Sequence, residues 1–278
     1  MALKLYSDSD IQDIADAIRG KNGLSTTYKV SQMAAAITAI PTGGASHEDE
    51  LLNGTLSGAY ENANVTSVRS YTFNGFTGLT SVSLPNITAT ATSMFNGCTS
   101  LASVSLPKVT SISGTDVFKN ASALNSLYLP KVTSCAANSF RDCKVKILVF
   151  PAVASSGTNF VNQNTTVKTV DFGTSYATMG DYTFNGSTAV DTLILRRTSR
   201  VALSNVRALA STKFKSGGTG GTIYIPKALY DHLGDGSSSD YKALTNWATV
   251  DGYGTITWAK IEGSAYETAY ADGTPIPS

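Results

Sequence analysis

A repeat with a period of about 22 residues constrains the fold of this chain more than any other feature of its sequence. Leu-Pro pairs begin at Leu84, Leu106 and Leu129, at spacings of 22 and 23 residues. Phenylalanine anchors recur with a similar period at Phe73, Phe95, Phe118, Phe140, Phe160 and Phe184. Because a unit this short cannot bury an apolar side alone, consecutive copies must stack and share one core. The sequence therefore predicts a repeat solenoid.

The residues before each proline alternate between apolar and polar, which indicates a strand with one face in the core. The predicted inward pairs are Val82/Leu84, Val104/Leu106, Leu127/Leu129, Leu148/Phe150, Val170/Phe172, Leu193/Leu195 and Ile223/Ile225. Proline closes most of these strands, but Gly173 and Arg196 stand in its place in two copies. A second short strand is predicted after each proline, as at residues 108–110. The fold class is a mainly β solenoid with two short parallel sheets over residues 64–226.

Residues 1–44 lie outside the repeat and predict an α-helical hairpin. A capping-box pattern begins at Ser9, and Pro41 ends the second helix. The predicted apolar stripe comprises Ile11, Ile14, Ile18, Met33, Ala34 and Ile37. Two helices of this size cannot cover such a stripe by themselves. We therefore expect the stripe to pack on a partner, on copies of itself or on the solenoid.

Both ends of a solenoid core need covering side chains, because a terminal repeat lacks one neighbour. Residues 45–63 are predicted as a linker and N-terminal cap, and residues 227–278 as a C-terminal cap and tail. The expected covering residues are Leu51, Leu52, Leu56 and Tyr60 at the first end, and Ala228, Leu229, Leu233, Leu244 and Trp247 at the second. The tail from residue 272 carries two prolines and is expected to fray.

Charge and composition exclude several classes of function. With 21 basic and 20 acidic residues, the net charge of +1 gives no basic excess for nucleic-acid phosphates. No run reaches the roughly 20 apolar residues of a membrane span, and no secretory signal is visible. Cys98 and Cys143 are two repeats apart, roughly 10 Å by strand spacing, which is too far for a disulfide. These two and Cys135 are therefore predicted to be free thiols.

The sequence offers no catalytic constellation, and no enzyme activity, cofactor or metal site is predicted. His47 and His232 are the two histidines, and neither lies in a motif such as HExxH. Asp231, Asp235 and Asp240 are spaced by 4 and 5 residues, which is not the alternate spacing of a calcium loop. We interpret these three aspartates as an acidic surface loop.

The residues that alternate with the inward pairs form a second row, which points away from the core. The row comprises Ser83, Ser105, Tyr128, Val149, Asp171, Ile194 and Tyr224. Exposed aromatic rings beside a carboxylate suit sugars, because sugars stack on rings and donate hydroxyl hydrogens. The five members from Tyr128 to Tyr224 are therefore candidate ligand-binding residues. The alternative is that they pack on one another or against a neighbouring subunit.

The repeat unit, with its Leu-Pro and Phe anchors over residues 64–226, resembles the BspA-type leucine-rich repeat. The run Ile223-Tyr-Ile-Pro-Lys-Ala-Leu and the later Thr245-Asn-Trp247 are similar to the C-terminal cap of that family. The opening run DIQDIADAIRGKNGLSTTYKVSQMAAAITAI is similar to short N-terminal segments of structural proteins from phages of Gram-positive bacteria.

Together the two resemblances imply a phage virion structural protein, part of a tail, fibre or decoration, that displays a surface for host or protein binding. The hairpin stripe, with Ile11, Ile14, Ile18, Met33 and Ile37 as assembly residues, would attach the chain to other virion proteins. A homo-oligomer is expected, with a trimer favoured because phage fibres commonly are trimers. The ligand would be a host-surface glycan or protein; neither nucleic acid nor membrane insertion is expected.

The alternative is an adhesin of the same repeat family on a bacterial cell surface. The absence of a visible secretion signal or wall anchor disfavours it at this stage. A cell-wall hydrolase or depolymerase is disfavoured because no acid–base constellation is present.

Deletion of residues 1–44 tests the attachment role of the hairpin. The solenoid should stay folded, because Leu51, Leu52 and Leu56 are expected to cover its first end without the hairpin. Light scattering should show monomers in place of the oligomer, or a particle-incorporation assay should show no incorporation. A truncated chain that still assembles and incorporates normally would place the docking surface on the solenoid or its C-terminal cap.

Overall fold

The structure is a computed structural model, and it describes residues 54–276. These residues form a mainly β parallel solenoid of about six turns. In each turn the chain runs through a strand on a first face, bends near the proline position and crosses to a second face with shorter strands. Strands pair in parallel with the equivalent strands of neighbouring turns. The prediction of a mainly β solenoid with parallel strands on two faces is confirmed.

Fourteen strands and four short helices build the described part of the chain. The strands are β1 (Gly58–Glu61), β2 (Leu79–Ser83), β3 (Ser103–Ser105), β4 (Ser111–Ile112), β5 (Ser126–Tyr128), β6 (Ser134–Cys135), β7 (Ile147–Phe150), β8 (Ser155–Ser156), β9 (Thr169–Phe172), β10 (Thr178–Met179), β11 (Thr192–Leu195), β12 (Ala202–Leu203), β13 (Gly221–Ile225) and β14 (Ile256–Lys260). The helices are α1 (Lys227–Tyr230), α2 (Thr245–Asp251) and the 3₁₀ helices Val206–Leu209 and Tyr241–Ala243. Within residues 54–276 no helix is long and apolar enough to cross a bilayer.

Each face of the solenoid carries two sheets. The first face has β1-β2-β3 and the six-stranded order β5-β7-β9-β11-β13-β14, while the second face has β4-β6 and β8-β10-β12. The inward ladder has the predicted register, since Leu148 lies opposite Leu127 on one side and Val170 on the other. The second-face strands begin later than predicted: β4 starts at Ser111. The reason is a turn after the proline, in which the Val109 N–H donates to the Leu106 carbonyl at 3.2 Å.

A ladder of stacked rings fills the first half of the core. Phe73, Phe95, Phe118 and Phe140 lie one above the next, with successive ring centroids 5.5, 5.3 and 6.1 Å apart. The spacing of the phenylalanine anchors predicts that Phe95, Phe118, Phe140 and Phe184 are buried and stacked one above the next, and this prediction is confirmed for Phe95, Phe118 and Phe140.

The ring ladder does not extend unchanged to the later turns. Val161, not Phe160, takes the anchor position of the fifth copy. Its N–H donates to the Thr183 carbonyl, just as the N–H of the anchor Phe95 donates to the Val117 carbonyl. The Phe160 ring lies one residue earlier and tilts by 45° against Phe140. Phe184 is fully buried, but it lies outside the ring ladder, which corrects the prediction that it stacks with the others.

The turns around the anchors place two residues per repeat in the left-handed backbone region. The first series is Tyr71, Ser93, Asp116, Asn138, Asn159 and Tyr182, and the second is Gly75, Gly97, Asn120, Asp142, Gln163 and Gly186. Glycine, asparagine and aspartate adopt this conformation most readily, which explains much of this composition. Their N–H groups form hydrogen bonds with the next turn. The Tyr71 N–H donates to the Thr92 carbonyl at 2.9 Å, and the Gly75 N–H donates to the Asn96 carbonyl at 2.7 Å. Backbone pairing between turns therefore continues outside the strands.

Two of the four residues that were predicted to cover the N-terminal end of the core do so in the described part of the chain. Leu56 and Tyr60 are buried, and the Tyr60 ring packs edge-on against Phe73 at 5.3 Å. The first parallel strand, β1, lies within the segment predicted as linker and cap. Leu51, Leu52 and the whole hairpin, with its assembly residues from Ile11 to Ile37, lie outside the described residues.

The C-terminal end of the core is covered by α2 and its neighbours. Leu229 and Trp247 are buried, and the Trp247 indole N–H donates to the Val201 carbonyl at 2.7 Å. Tyr241 and Val250 are buried as well and were not singled out from the sequence. The other predicted covering residues are less enclosed: Ala228 is exposed, and Leu233 and Leu244 are partly exposed. Beyond this cap the chain adds β14 to the six-stranded sheet, a strand that the repeat pattern did not predict.

The substitution Gly173→Ala tests how closely the turns approach each other. A Cβ atom at this position would lie 2.0 Å from the carbonyl oxygen of Pro151 in the preceding turn, so the backbone would have to move. We expect unfolding in denaturant to show a loss of about 1–3 kcal/mol, as for other overpacking substitutions. Gly157→Ala is the matched control, because a Cβ there meets nothing within 4 Å. Equal losses for the two variants would contradict the close approach.

Candidate functional site

The five candidate ligand-binding residues form one straight row across the first face. Tyr128 lies opposite Val149, and Val149 lies opposite Asp171. The row continues from Asp171 to Ile194 and from Ile194 to Tyr224. With neighbouring strands about 4.8 Å apart, the row is roughly 19 Å long. The alignment of these five residues on one side of the sheet is therefore as the sequence indicates.

A later segment of the same chain covers the middle of this row. Val149, Asp171 and Ile194 are 0% exposed, although their side chains point away from the core. The covering segment is residues 263–276, which we call the strap. Tyr128 and Tyr224, at the two ends of the row, remain partly exposed. In this conformation a ligand would meet the middle of the row only if the strap moved away, and the ligand-binding role of the five residues stays a prediction.

The strap is a folded hairpin, which corrects the expectation that the tail frays from residue 272. The Tyr270 N–H donates to the Thr274 carbonyl at 2.8 Å, and the Ile276 N–H donates to the Thr268 carbonyl at 3.0 Å. The turn contains Gly273 with a φ of 88°, a conformation that glycine adopts at little cost. The Asp272 carboxylate accepts the Thr274 N–H at 3.0 Å and reinforces the turn.

A buried ion pair lies at the centre of the covered face. The Arg196 guanidinium donates Nε–H and Nη2–H to the two carboxylate oxygens of Asp171, both at 2.7 Å. Arg196 is 8% exposed and Asp171 is 0% exposed. Burial raises the pKa of the Asp171 carboxyl above its ordinary value, although the Arg196 guanidinium and the Ala271 N–H act in the opposite direction. Arg196 stands where most copies have proline, so this departure from the repeat supplies the partner of a buried charge.

The same ion pair holds the main chain of the strap. Arg196 Nη1–H donates to the Tyr266 carbonyl at 2.7 Å, and its Nη2–H also donates to the Ala269 carbonyl at 2.9 Å. On the other side, the Ala271 N–H donates to Asp171 Oδ2 at 2.8 Å. The pair therefore offers donors to two carbonyl groups and an acceptor to one N–H, all on the backbone of the strap.

Aromatic contacts join the strap to both ends of the row. The Tyr270 ring lies 5.6 Å from the Tyr128 ring, and the Tyr266 ring lies 4.7 Å from the Tyr224 ring in an edge-on arrangement. Arg196 also lies over the Tyr270 ring, 4.9 Å from its centroid, at the distance of a cation–π contact. Burial raises the pKa values of Tyr128, Tyr266 and Tyr270 above the ordinary value of a phenol.

The serine end of the outward row is separate from the covered face. Ser83 and Ser105 are register partners in the three-stranded sheet, whereas Tyr128 belongs to the six-stranded sheet. Ser105 is exposed and Ser83 is partly exposed. The change from serine to larger side chains along the row therefore coincides with the boundary between two sheets.

The predicted acidic loop is only partly a surface loop: Asp231 and Asp235 are exposed as predicted, but Asp240 is buried, which corrects its interpretation as a surface residue. The Asp240 carboxylate accepts N–H groups from Gly234, Gly236 and Lys242 at 2.9, 3.1 and 2.8 Å. Burial acts to raise the pKa of Asp240, but these three donors outweigh it and hold the pKa below its ordinary value.

Other side chains with metal-binding or nucleophilic chemistry are dispersed in the described part of the chain. The Nδ1 atom of His232 lies 2.6 Å from Oδ2 of Asp235, while the Asp231 carboxylate accepts a hydrogen bond from the Lys227 ammonium. Among the described residues, no three His, Cys, Asp or Glu side chains gather where they could hold a metal ion. His47 lies outside the described residues.

The buried cysteines are placed for packing. Cys98 donates its thiol hydrogen to the Phe73 carbonyl at 2.8 Å, and both it and Cys143 are fully buried. Burial raises the pKa of each of these two thiols to about 12, which keeps them protonated and unreactive. Burial likewise raises the pKa of Cys135.

Comparison with known proteins identifies the repeat. A family model described as a BspA type leucine rich repeat region, in 6 copies, matches residues 55–167 and 114–225. No curated protein matches the chain.

Several solved structures are similar to this chain. A leucine-rich repeat protein of T. pallidum has 20% sequence identity and a TM-score of 0.44, and the match covers 52% of this chain and 72% of that chain. A leucine-rich repeat protein from Bacteroides ovatus has 13% identity and a TM-score of 0.35, over 61% of this chain and 66% of that chain. A leucine rich cell surface protein from Faecalibacterium prausnitzii has 16% identity and a TM-score of 0.30, over 78% of this chain and 68% of that chain.

The family model and the observed turns agree in extent. The matched residues run from 55 to 225 of the 278 in the chain, and the parallel strands from β1 to β13 lie in the same stretch. The chain therefore belongs to the family of BspA-type leucine-rich-repeat proteins.

Proposed function

We propose that the protein is a binding protein displayed on a bacterial cell surface, where the solenoid holds a macromolecular partner on the outer face of its six-stranded sheet. The observation that carries this proposal is the straight row from Tyr128 to Tyr224, with the Asp171–Arg196 pair beside it. Repeat solenoids use their regular strand faces as extended binding surfaces, and the fold is typical of binding proteins rather than enzymes. Tyrosine and arginine are also the side chains that contribute most often to binding hot spots.

The proposed location follows from the family and the composition. A BspA-type repeat favours the hypothesis of an adhesin on a bacterial cell surface, which was the alternative prediction from the sequence. Charged residues make up only 15% of the chain, and the polar surface is supplied mainly by Ser, Thr, Asn and Gly. Such a weakly charged polar surface is common among extracellular proteins.

A virion structural protein is the second candidate function. Its support is the similarity of the opening run to N-terminal segments of phage structural proteins, and no comparison adds to it. The partners expected on that basis, other virion proteins and a trimer of the chain, involve residues 1–44, which lie outside the described residues. The deletion of residues 1–44 addresses this candidate.

Immunolabelling of intact cells tests the proposed location. An antibody raised against the solenoid should label unlysed cells of the bacterium that encodes the chain. Treatment of those cells with external protease should remove the label, while a cytosolic marker protein stays intact. Antigen that co-sediments with purified phage particles instead would support the second candidate, and antigen found only after lysis and absent from phage particles would contradict both.

A further inference from the structure

We propose that the strap is a built-in occupant of a polypeptide-binding face, and that a partner protein binds by replacing it. The inference rests on the proposed function, because it names the kind of partner that the same face holds. The partner segment has a tight turn preceded by two tyrosines four residues apart, as in the strap. The contacts of the strap give the chemistry of that segment.

The central contacts recognise a peptide backbone. Arg196 donates to two carbonyl groups three residues apart, those of Tyr266 and Ala269. Asp171 accepts one N–H two residues further on, that of Ala271. These groups are present in any polypeptide, so the ion pair fixes the path of a segment without demanding particular side chains.

The ends of the face supply a preference for sequence. Tyr224 meets Tyr266, and Tyr128 meets Tyr270, so the two aromatic sites receive side chains that are four residues apart in the strap. Between these two sites the covered floor is apolar at Val149 and Ile194. A partner segment that offers two aromatic rings at this spacing would make the same contacts.

The strap can leave this face as one unit. Its hairpin is closed by hydrogen bonds within itself, between Tyr270 and Thr274 and between Ile276 and Thr268. It joins the sheet through the stretch after β14, where the Ile261 N–H donates to Ile225 and Gly263 has a φ of 78°. Movement at this one connection would uncover the whole row without disturbing the repeats beneath it.

A polypeptide fits the buried polar groups better than a glycan does. Besides their contacts with each other, Arg196 donates to two carbonyl groups and Asp171 accepts one N–H. All three of these groups lie along the backbone of a single segment. Tyrosine rings of the strap fill both aromatic sites. Tyr266 meets Tyr224 edge-on, and the Tyr270 ring is tilted against Tyr128. The glycan hypothesis from the sequence therefore becomes an alternative outcome of the test.

The test measures binding of a labelled peptide with the sequence of residues 262–276 to the full-length protein. The double substitution Tyr266→Ala/Tyr270→Ala removes the ring contacts of the strap and leaves the face itself unchanged. Fluorescence anisotropy should show about tenfold or more tighter apparent binding to this variant than to the unaltered chain, because an intact strap competes at a millimolar effective concentration. Tyr71→Ala, which removes an exposed ring far along the chain from the strap, should bind like the unaltered chain.

Three controls identify what is recognised. A peptide with alanine at both tyrosine positions should bind more weakly, and a scrambled peptide that changes the spacing of the two tyrosines should bind no better than the alanine peptide. Adding Arg196→Lys to the double variant should also weaken binding, because an ammonium cannot reproduce the guanidinium fork that reaches both carbonyl groups. Chitohexaose serves as the glycan probe and should not compete with the peptide.

Three outcomes would overturn the proposal. The first is a double variant that is folded by circular dichroism and does not bind the peptide. The second is binding of chitohexaose in place of the peptide, and the third is exchange of straps between two copies of the chain, measured by sedimentation. If the double variant fails to fold, hydrogen exchange on the unaltered chain decides: millimolar peptide should accelerate exchange at the Ala271 amide, and no acceleration would contradict the proposal. Failure here leaves the labelling of intact cells unaffected, so it is distinguishable from failure of the proposed function.

Discussion

The sharing of one core between consecutive turns is the constraint on which this structure depends. A turn of about 22 residues has too little apolar surface to enclose its own anchor, so Phe95 is covered by Phe73 on one side and Phe118 on the other. Parallel strand pairing and the N–H groups of the left-handed turns join the same neighbours. Packing and hydrogen bonding therefore act between the same pairs of turns, and both require that equivalent residues of neighbouring turns stay aligned.

Gly173 and Arg196 stand where other copies of the repeat have proline, and each of these two departures affects how neighbouring turns pack. At Gly173 the backbone of one turn comes so close to Pro151 that a Cβ atom has no space. At Arg196 a long cation replaces the strand-closing proline and neutralises Asp171 in the neighbouring strand. The first departure permits close stacking, and the second creates a polar centre on an otherwise apolar face, which the strap then covers. Arg196 thus connects the geometry of the repeat to the candidate function.

Much of the solenoid could be predicted from the sequence because its determinants are local and repeated. Alternation of apolar and polar residues identified the inward ladder, and the same alternation in each strand identified the outward row from Tyr128 to Tyr224. The errors lie where the aromatic residue is one position before the structural anchor, as at Phe160, or where a turn delays a strand, as at β4.

The strap could not be predicted in the same way. It is short, has no periodicity, and forms hydrogen bonds with residues 70 and 100 positions earlier in the chain. One signal did exist in the sequence, because Arg196 stands in the place of the strand-closing proline. It lies two residues after Ile194, whose partner in the neighbouring strand is Asp171. An unusual charge in an apolar repeat indicates a partner, but it does not say which segment of the chain supplies that partner.

The free energy of unfolding of Phe118→Ala tests the shared core most directly. Phe118 has a stacked ring on each side, at 5.3 and 6.1 Å, so the surrounding turns cannot collapse into the cavity without breaking their own pairing. The account predicts a loss of about 3–5 kcal/mol in denaturant unfolding, from lost transfer energy and the cavity. Tyr71→Ala, at a side chain that is 60% exposed, is the control and should change stability by less than about 0.5 kcal/mol. A loss below about 1 kcal/mol for Phe118→Ala would contradict the shared core.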